Sequence, residues 1–417
     1  MTDDPTRVAV ELFVALVAAA AVAALVANRL AWPYSVVLVV LGVVIAALGP
    51  SARISISPQL VLAVLVPGLV FEAAYRLDVA ELRRAFLSVA FLAVPGVLVS
   101  AAVVAVALSL TGLPLELGFI VGAITSATDP ASVIATFRVL GAPSALKTLV
   151  EAESLFNDGT AILVFAIAVA ALGTPTSGFD ASVTFVGTVA GSSLLGLALG
   201  VVATRVMSSA KDHLIELTIS VVLAYGTYLI ADRFGGSGVI ATVVAGMTLG
   251  TYGRRIGLRT RTFEALDEVW EFAAFVLTAL VFLLIGLAIT LGQLADDASG
   301  IALGIVGILI SRAVVVYVLL GGTSRILGSR HHGATIETTW LHVVFWAGLR
   351  GAIAIALALS LPPDVPERSH LQGIVFGMTL FTLLVQGTTA GRLMRRLHVE
   401  TRPRAVADWP FEDDTPD

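Results

Sequence analysis

An all-α, polytopic membrane fold is what this sequence predicts, and three observations carry the prediction: the share of apolar residues, the spacing of long apolar runs, and the sidedness of the basic residues between them. Of 417 residues, 57% are hydrophobic and 13% are charged. The mean hydropathy of +0.96 lies far above that of soluble globular domains of this length. Cysteine is absent, which excludes disulfides, thiolate metal sites and a cysteine nucleophile. Histidine is scattered apart from the adjacent His331 and His332, so nothing suggests a zinc site. The net charge of −5 says little about partners, because it resides mostly in loops, and no nucleic-acid partner is expected.

The first apolar segment runs from near Val8 to Leu30 without a small-residue cleavage site, and it reads as a retained span rather than a leader. Apolar runs of about 20 residues, each able to cross a hydrocarbon core of about 30 Å, number roughly thirteen. They centre near residues 19, 41, 67, 98, 128, 159, 195, 223, 244, 281, 311, 350 and 383. The ninth, "SGVIATVVAGMTLG", is the shortest. Lys and Arg accumulate on the cytoplasmic side of membrane proteins. With the N-terminus outside, Arg83, Arg84, Arg138, Lys147, Arg205, Lys211, the Arg254 to Arg261 run and the arginines from Arg392 to Arg404 all face inward. Roughly nineteen of the 25 basic residues then lie inside, which fits an odd number of spans. Beyond Leu397 the chain turns acidic, and residues 398–417 are expected to be a short cytoplasmic tail.

A charged group inside a bilayer costs at least about 2.5 to 3.5 kcal/mol on insertion scales, so each one needs a partner, a water-filled cavity or a task. Here several share one depth. The fifth segment carries "TSATDPAS", which sets Thr125, Ser126, Thr128, Asp129 and Ser132 around Pro130. Proline removes a backbone donor and frees carbonyls just where Asp129 sits, so this helix is expected to be broken. The twelfth segment carries "WAGLRGAIA", with Gly348 and Gly351 flanking Arg350. The two segments lie seven apart and must run in opposite directions, the sequence sign of an inverted-repeat transporter with its site at the midplane. Between them lies "EAESLFNDGT". On a helix, Ser154 and Asp158 share a face with Glu151, while Glu153 and Asn157 share the neighbouring one. If Asp129, Glu153 and Asp158 ionise while Arg312 and Arg350 stay protonated, the cluster carries one surplus negative charge, which one proton or one monovalent cation would neutralise. Oxygen ligands from Asp, Ser, Thr and freed carbonyls suit a hard cation.

"TSATDPASV", "EAESLFNDGTA", "VVAGMTLGTYG", "VFLLIGL", "SRAVVVY" and "WAGLRGAIAIALAL", in this order, resemble the sodium/proton antiporters of the NhaP and NHE type, and the resemblance covers nearly the whole chain to Leu397. It implies thirteen helices in a homodimer, with a mobile core from about 85–172 and 300–395, a dimerisation part from about 8–78 and 180–292, and two unwound helices crossing at the site. The resemblance also implies roles. Asp158 matches the carboxylate that binds either the cation or the proton, Ser154 and Thr128 match further ligands, and Asp129 sits beside them. Glu72 in "LVFEAAYRLD" matches a carboxylate lining the site, although Glu72 and Arg76 stand four apart and could equally form a local pair. Glu153 and Arg350 match a structural ion pair, with Asn157 and Arg312 in support. One departure is Thr278, where the family often has Asn. Asn157 before Asp158 resembles the electroneutral branch.

The function implied is exchange of a monovalent cation, sodium foremost and lithium second, for a proton by alternating access, with no cofactor and no enzymatic activity, in a multi-pass protein of the cell membrane surrounded by lipid. A potassium-preferring antiporter of the same fold is the nearest alternative. An intramembrane aspartyl hydrolase using Asp129 and Asp158 is a more distant one, and it gives no account of Arg350.

Overall fold

The computed structural model describes residues 5–30, 32–48, 61–173, 177–210, 212–289, 291–322 and 336–399, and among them every regular element is helical. His331, His332 and nearly all of the acidic tail lie outside the described residues. In a hydrocarbon surround each backbone N–H and C=O must be satisfied within its own segment, and the apolar runs accordingly become helices. They are α1 (Pro5–Leu30) and α2 (Tyr34–Leu48); a π-helical turn, Val61–Leu65, leading into α3 (Val66–Arg76); and α4 (Val79–Ala93) with α5 (Pro95–Ser109). Pro95 occupies the first position of α5, where its missing donor costs least, so α4 and α5 continue as one long apolar span.

The fifth expected span arrives in two pieces, α6 (Leu115–Ser126) and α7 (Ala131–Leu140), and Gly141 ends α7 in the left-handed conformation that favours glycine. The polar stretch beginning at Glu151 lies inside one uninterrupted helix, α8 (Ser144–Gly173). There follow α9 (Gly178–Ser209), α10 (His213–Arg233), α11 (Gly238–Arg255) and α12 (Thr260–Ala288). Side chains at their starts hold orphan amides: Ser177 accepts from Asp180 N–H, Asp212 from Leu214 N–H and Ser237 from Ile240 N–H. A short α13 (Leu291–Asp296) precedes α14 (Ala298–Ala313), which passes into a second π-helical stretch, Val314–Leu320. The twelfth expected span is also split, into α15 (Thr338–Trp346) and α16 (Ala352–Leu359). The chain then runs through α17 (Arg368–Phe381), a third π-helical turn at Thr382–Gly387, and α18 (Thr388–Arg396).

By length and hydropathy, eight helical stretches among the described residues can each cross a membrane unaided, both the broken fifth segment and α8 among them. The ninth segment becomes α11, whose 18 residues match its brevity in the sequence.

Two packing groups emerge. In one, α9 packs on α11, α11 on α3 and α10, and α12 on α2. Glycine sets the closest approach here: a methyl at Gly286 of α12 would run into the Val39 carbonyl and the Gly42 Cα of α2. In the other, α6 lies between α5 and α8, α4 packs on α8, and α14 packs on α5 and α17. The groups meet where α8 touches α3 and α11, where α7 touches α2, and where α16 touches α12. Both broken helices belong to the second group, and both breaks fall at this boundary.

Candidate ion-binding site

The two breaks cross and hold each other. After Ser126 the backbone leaves the helix, with Ala127 at φ −58 and ψ 135, and helix resumes only at Ala131. The opposite chain is non-helical between Trp346 and Ala352. Where they pass, Asp129 N–H donates to the Leu349 carbonyl at 2.7 Å. Gly351 faces Asp129 so closely that a Cβ would overlap its carboxylate, which explains a glycine at that position.

Cutting two helices inside an apolar interior leaves four ends with unsatisfied backbone groups and partial charges. Each meets an opposite charge. Arg350 donates to the carbonyls of Ser126 at 3.1 Å and Ala127 at 3.3 Å, at the C-terminal end of α6. Arg312 donates to the Val344 carbonyl at 2.7 Å, in the last turn of α15. The Asp129 carboxylate accepts the Ala131 N–H at 2.9 Å, and the Ala352 N–H also points at it, so one anion serves the N-termini of α7 and α16.

The expected ion pair of Glu153 with Arg350 does not form. Glu153 instead takes a two-pronged contact from Arg312, through Nη1 to Oε1 and through Nη2 to Oε2 at 3.0 Å. The physical reason is the break itself, because the loosened backbone leaves the Arg350 guanidinium at the bare carbonyls of α6. Arg312 reaches Glu153 across the space left at Gly348, where a Cβ would lie 2.8 Å from Arg312 Nε. Arg350 is steadied by Thr382, whose hydroxyl accepts the Arg350 N–H at 3.0 Å. In the sequence, Thr382 carries no signal beyond being a polar residue in the apolar run "MTLFTLLV".

The expected ligands do converge. Ser154 Oγ donates to the Thr128 carbonyl, and Asn157 Nδ2 donates to the Thr128 hydroxyl at 2.7 Å, so α8 grips the unwound backbone between α6 and α7. Asp158, 9% exposed, lies one helical turn beyond Ser154. Its Oδ1 is buried and has no hydrogen-bond partner among the described residues. Asp158 and Asp129 line one end of a cavity of about 450 Å³ whose walls come from both packing groups. The cavity reaches toward Arg138, Lys147 and Glu271, whose side chains are 55%, 39% and 63% exposed.

Glu72 and Thr278 also line this cavity. Glu72 forms the local pair, at 3.1 Å from Arg76, and Arg76 reaches on to Glu271 at 3.2 Å and Asp267 at 3.7 Å. Glu151 likewise pairs with Lys147 at 3.6 Å, near the exposed end.

Removing the side chain of Arg312 strands the buried Glu153 carboxylate and bares the Val344 carbonyl. Arg312→Ala should therefore lower stability by about 3 to 5 kcal/mol, read as a lower unfolding temperature in detergent. Pairing it with Glu153→Gln should recover part of the loss, and an unchanged unfolding temperature for Arg312→Ala would contradict this role.

Residues 15–396 match the family model described as sodium/hydrogen exchanger, transmembrane. The chain is 40% identical over 373 residues to the low-affinity Na(+)/H(+) antiporter NhaS1 of Synechocystis sp., an alignment covering 88% of this chain and 69% of that protein. It is 40% identical over 374 residues to the Na(+)/H(+) antiporter ApNhaP of Aphanothece halophytica, covering 88% and 70%. Its fold is similar to the solved structure of the sodium proton antiporter MjNhaP1 from Methanocaldococcus jannaschii at pH 8, with a TM-score of 0.77 at 20% identity over 94% of this chain and 98% of that one. A broken-helix crossing within an all-helical, multi-pass chain, together with a family match over nearly its whole length, establishes that this protein belongs to the transmembrane sodium/hydrogen exchanger family.

Proposed function

We propose that this protein is a secondary transporter that exchanges sodium for protons, with Asp158 holding either ion in turn. One observation carries the reading. Of the five charged side chains at the crossing, Asp129, Glu153, Arg312 and Arg350 are each engaged with a helix end or with one another, and Asp158 has a buried carboxylate oxygen with no hydrogen-bond partner among the described residues and access to the cavity. The engaged four sum to zero when ionised. Asp158 supplies the surplus charge that a monovalent cation or a proton neutralises.

The Thr128 carbonyl and hydroxyl, the Ser154 hydroxyl and Asp158 are oxygen donors of the type a hard cation takes, and Asp129 lies at the same crossing. Glu72, held by Arg76 on the opposite wall, is within the same cavity and would meet the cation on its way in. No resident cofactor enters this scheme, because the ions are the substrates. Because proton and cation compete for one carboxylate, exchange should fall at acid pH, where protons win, and at alkaline pH, where no proton is carried. A potassium-preferring exchanger would use the same oxygens.

The basic residues at the cavity's exposed end support a cytoplasmic opening, with the N-terminus outside, the C-terminus inside and the protein in the cell membrane. The boundary between the packing groups is the plane on which the α4 to α8 and α14 to α18 group would move as the core. α9 presents a largely exposed apolar surface on the other group, and we place the homodimer contact there, with lipid covering the remaining apolar surface.

In everted vesicles or proteoliposomes, wild-type protein should give sodium-dependent dequenching of a pH-sensitive dye, and Asp158→Asn should give none while keeping its wild-type elution volume on size exclusion. Sustained dequenching by Asp158→Asn would remove Asp158 from this role.

With the neighbouring charges fixed, the charge count also supports a coupling ratio. With Asn157 beside it, Asp158 is neutral in both loaded states, so the moving group carries equal charge in each direction and exchange is one for one. A membrane potential, worth about 2.3 kcal/mol per charge per 100 mV, then does no net work. In liposomes clamped with valinomycin, the steady-state ion gradient should not move with voltage, and a gradient that tracks the imposed potential would contradict one-for-one exchange.

A further inference from the structure

The half-helix α7 carries two polar contacts that the ion site does not use, and both cross to the other packing group. Near its start, Ser132 shares a hydrogen bond with Ser35 in the first turn of α2, and the two side chains are buried. Near its end, Arg138 lies 3.9 Å from Glu271 of α12, which also contacts Arg76. A helix of 10 residues spans about 15 Å, so the contacts tie both ends of one short rod. Their anchors, α2 and α12, are themselves joined by the Gly42 and Gly286 approach.

From this placement we infer that Ser35, Ser132, Arg138 and Glu271 form a two-point latch that holds the cavity open toward its basic end and must release in every transport cycle. The inference rests on the exchange reading and on movement of one group against the other. α7 starts two residues after Asp129, and its first N–H is bound by that carboxylate, so α7 moves with the ion site. The cavity lies between α7 and α8 on one side and α2, α3 and α12 on the other. Turning Asp158 toward the opposite face therefore requires α7 to slide along α2 and α12. A hydroxyl hydrogen bond tolerates only a few tenths of an ångström beyond its normal length, so the Ser35 and Ser132 contact is either made or lost. The two points are unequal: a buried hydroxyl pair biases the equilibrium about two- to tenfold, whereas the exposed Arg138 and Glu271 pair contributes less and weakens with salt.

Cysteine is absent from the chain, which permits a direct test. In proteoliposomes, Ser35→Cys combined with Ser132→Cys should exchange sodium for protons when reduced. Oxidation to the cross-link, verified by loss of free thiols, should bring exchange to the protein-free background, and reductant should restore it, while neither single variant should respond to oxidant. A cross-linked protein that still exchanges at the reduced rate would overturn the latch, and so would a pair that oxidant cannot join. Ser132→Ala provides an independent arm. It should raise the KM for sodium presented at the cavity side about two- to tenfold with little change in kcat, because the competent state is less populated. An unchanged KM would overturn the latch. If the wild type and the reduced double variant both fail to move protons with sodium, the exchange reading fails instead.

Discussion

Two helices cut open inside an apolar interior set the terms for everything around them. Each cut exposes one positive and one negative helix end, and hydrocarbon supplies no water to satisfy them. Arg350 and Arg312 take the carbonyl ends, Asp129 takes both amide ends, and Glu153 balances Arg312. Remove any one and a charge or a row of backbone dipoles is left unpaired. The glycines at 348 and 351 follow from the same arrangement, because each gives up a side chain so that a charged group can come close.

That arrangement also explains why Asp158 differs from its neighbours. The other charges at the crossing are committed to structure, and Ser154 and Asn157 of α8 secure the unwound backbone. Asp158 keeps a buried oxygen with no hydrogen-bond partner among the described residues, facing a cavity that reaches an exposed, charged end. In the exchange proposed above, this is the group that takes a proton or a cation and gives it up again.

Much of this was legible in the sequence, for identifiable reasons. A proline beside an aspartate in an apolar run marks a break because its effect is local, and the fifth segment breaks where "TSATDPAS" places it. The i to i+4 spacing within "EAESLFNDGT" puts Ser154 and Asp158 on one face whatever the rest of the fold does. Glu72 and Arg76 formed the local pair for the same reason. What sequence did not yield was choice among distant partners. Glu153 lies far along the chain from both Arg312 and Arg350, and only the path of the unwound backbone sends Arg350 to the carbonyls of α6 and leaves Glu153 to Arg312. The partners of Thr382, Ser35 and Ser132 are not legible in the sequence, because a lone hydroxyl in an apolar helix more often bonds its own backbone, and what each one meets is settled by tertiary packing.

In the exchange proposed above, one carboxylate, Asp158, binds sodium only by losing a proton. Calorimetric titration of sodium into purified protein, in two buffers of different ionisation enthalpy near neutral pH, counts the protons released per ion bound. The account predicts about one proton per sodium for the wild type and no sodium binding heat for Asp158→Asn. Sodium binding to the wild type with no proton release would contradict it.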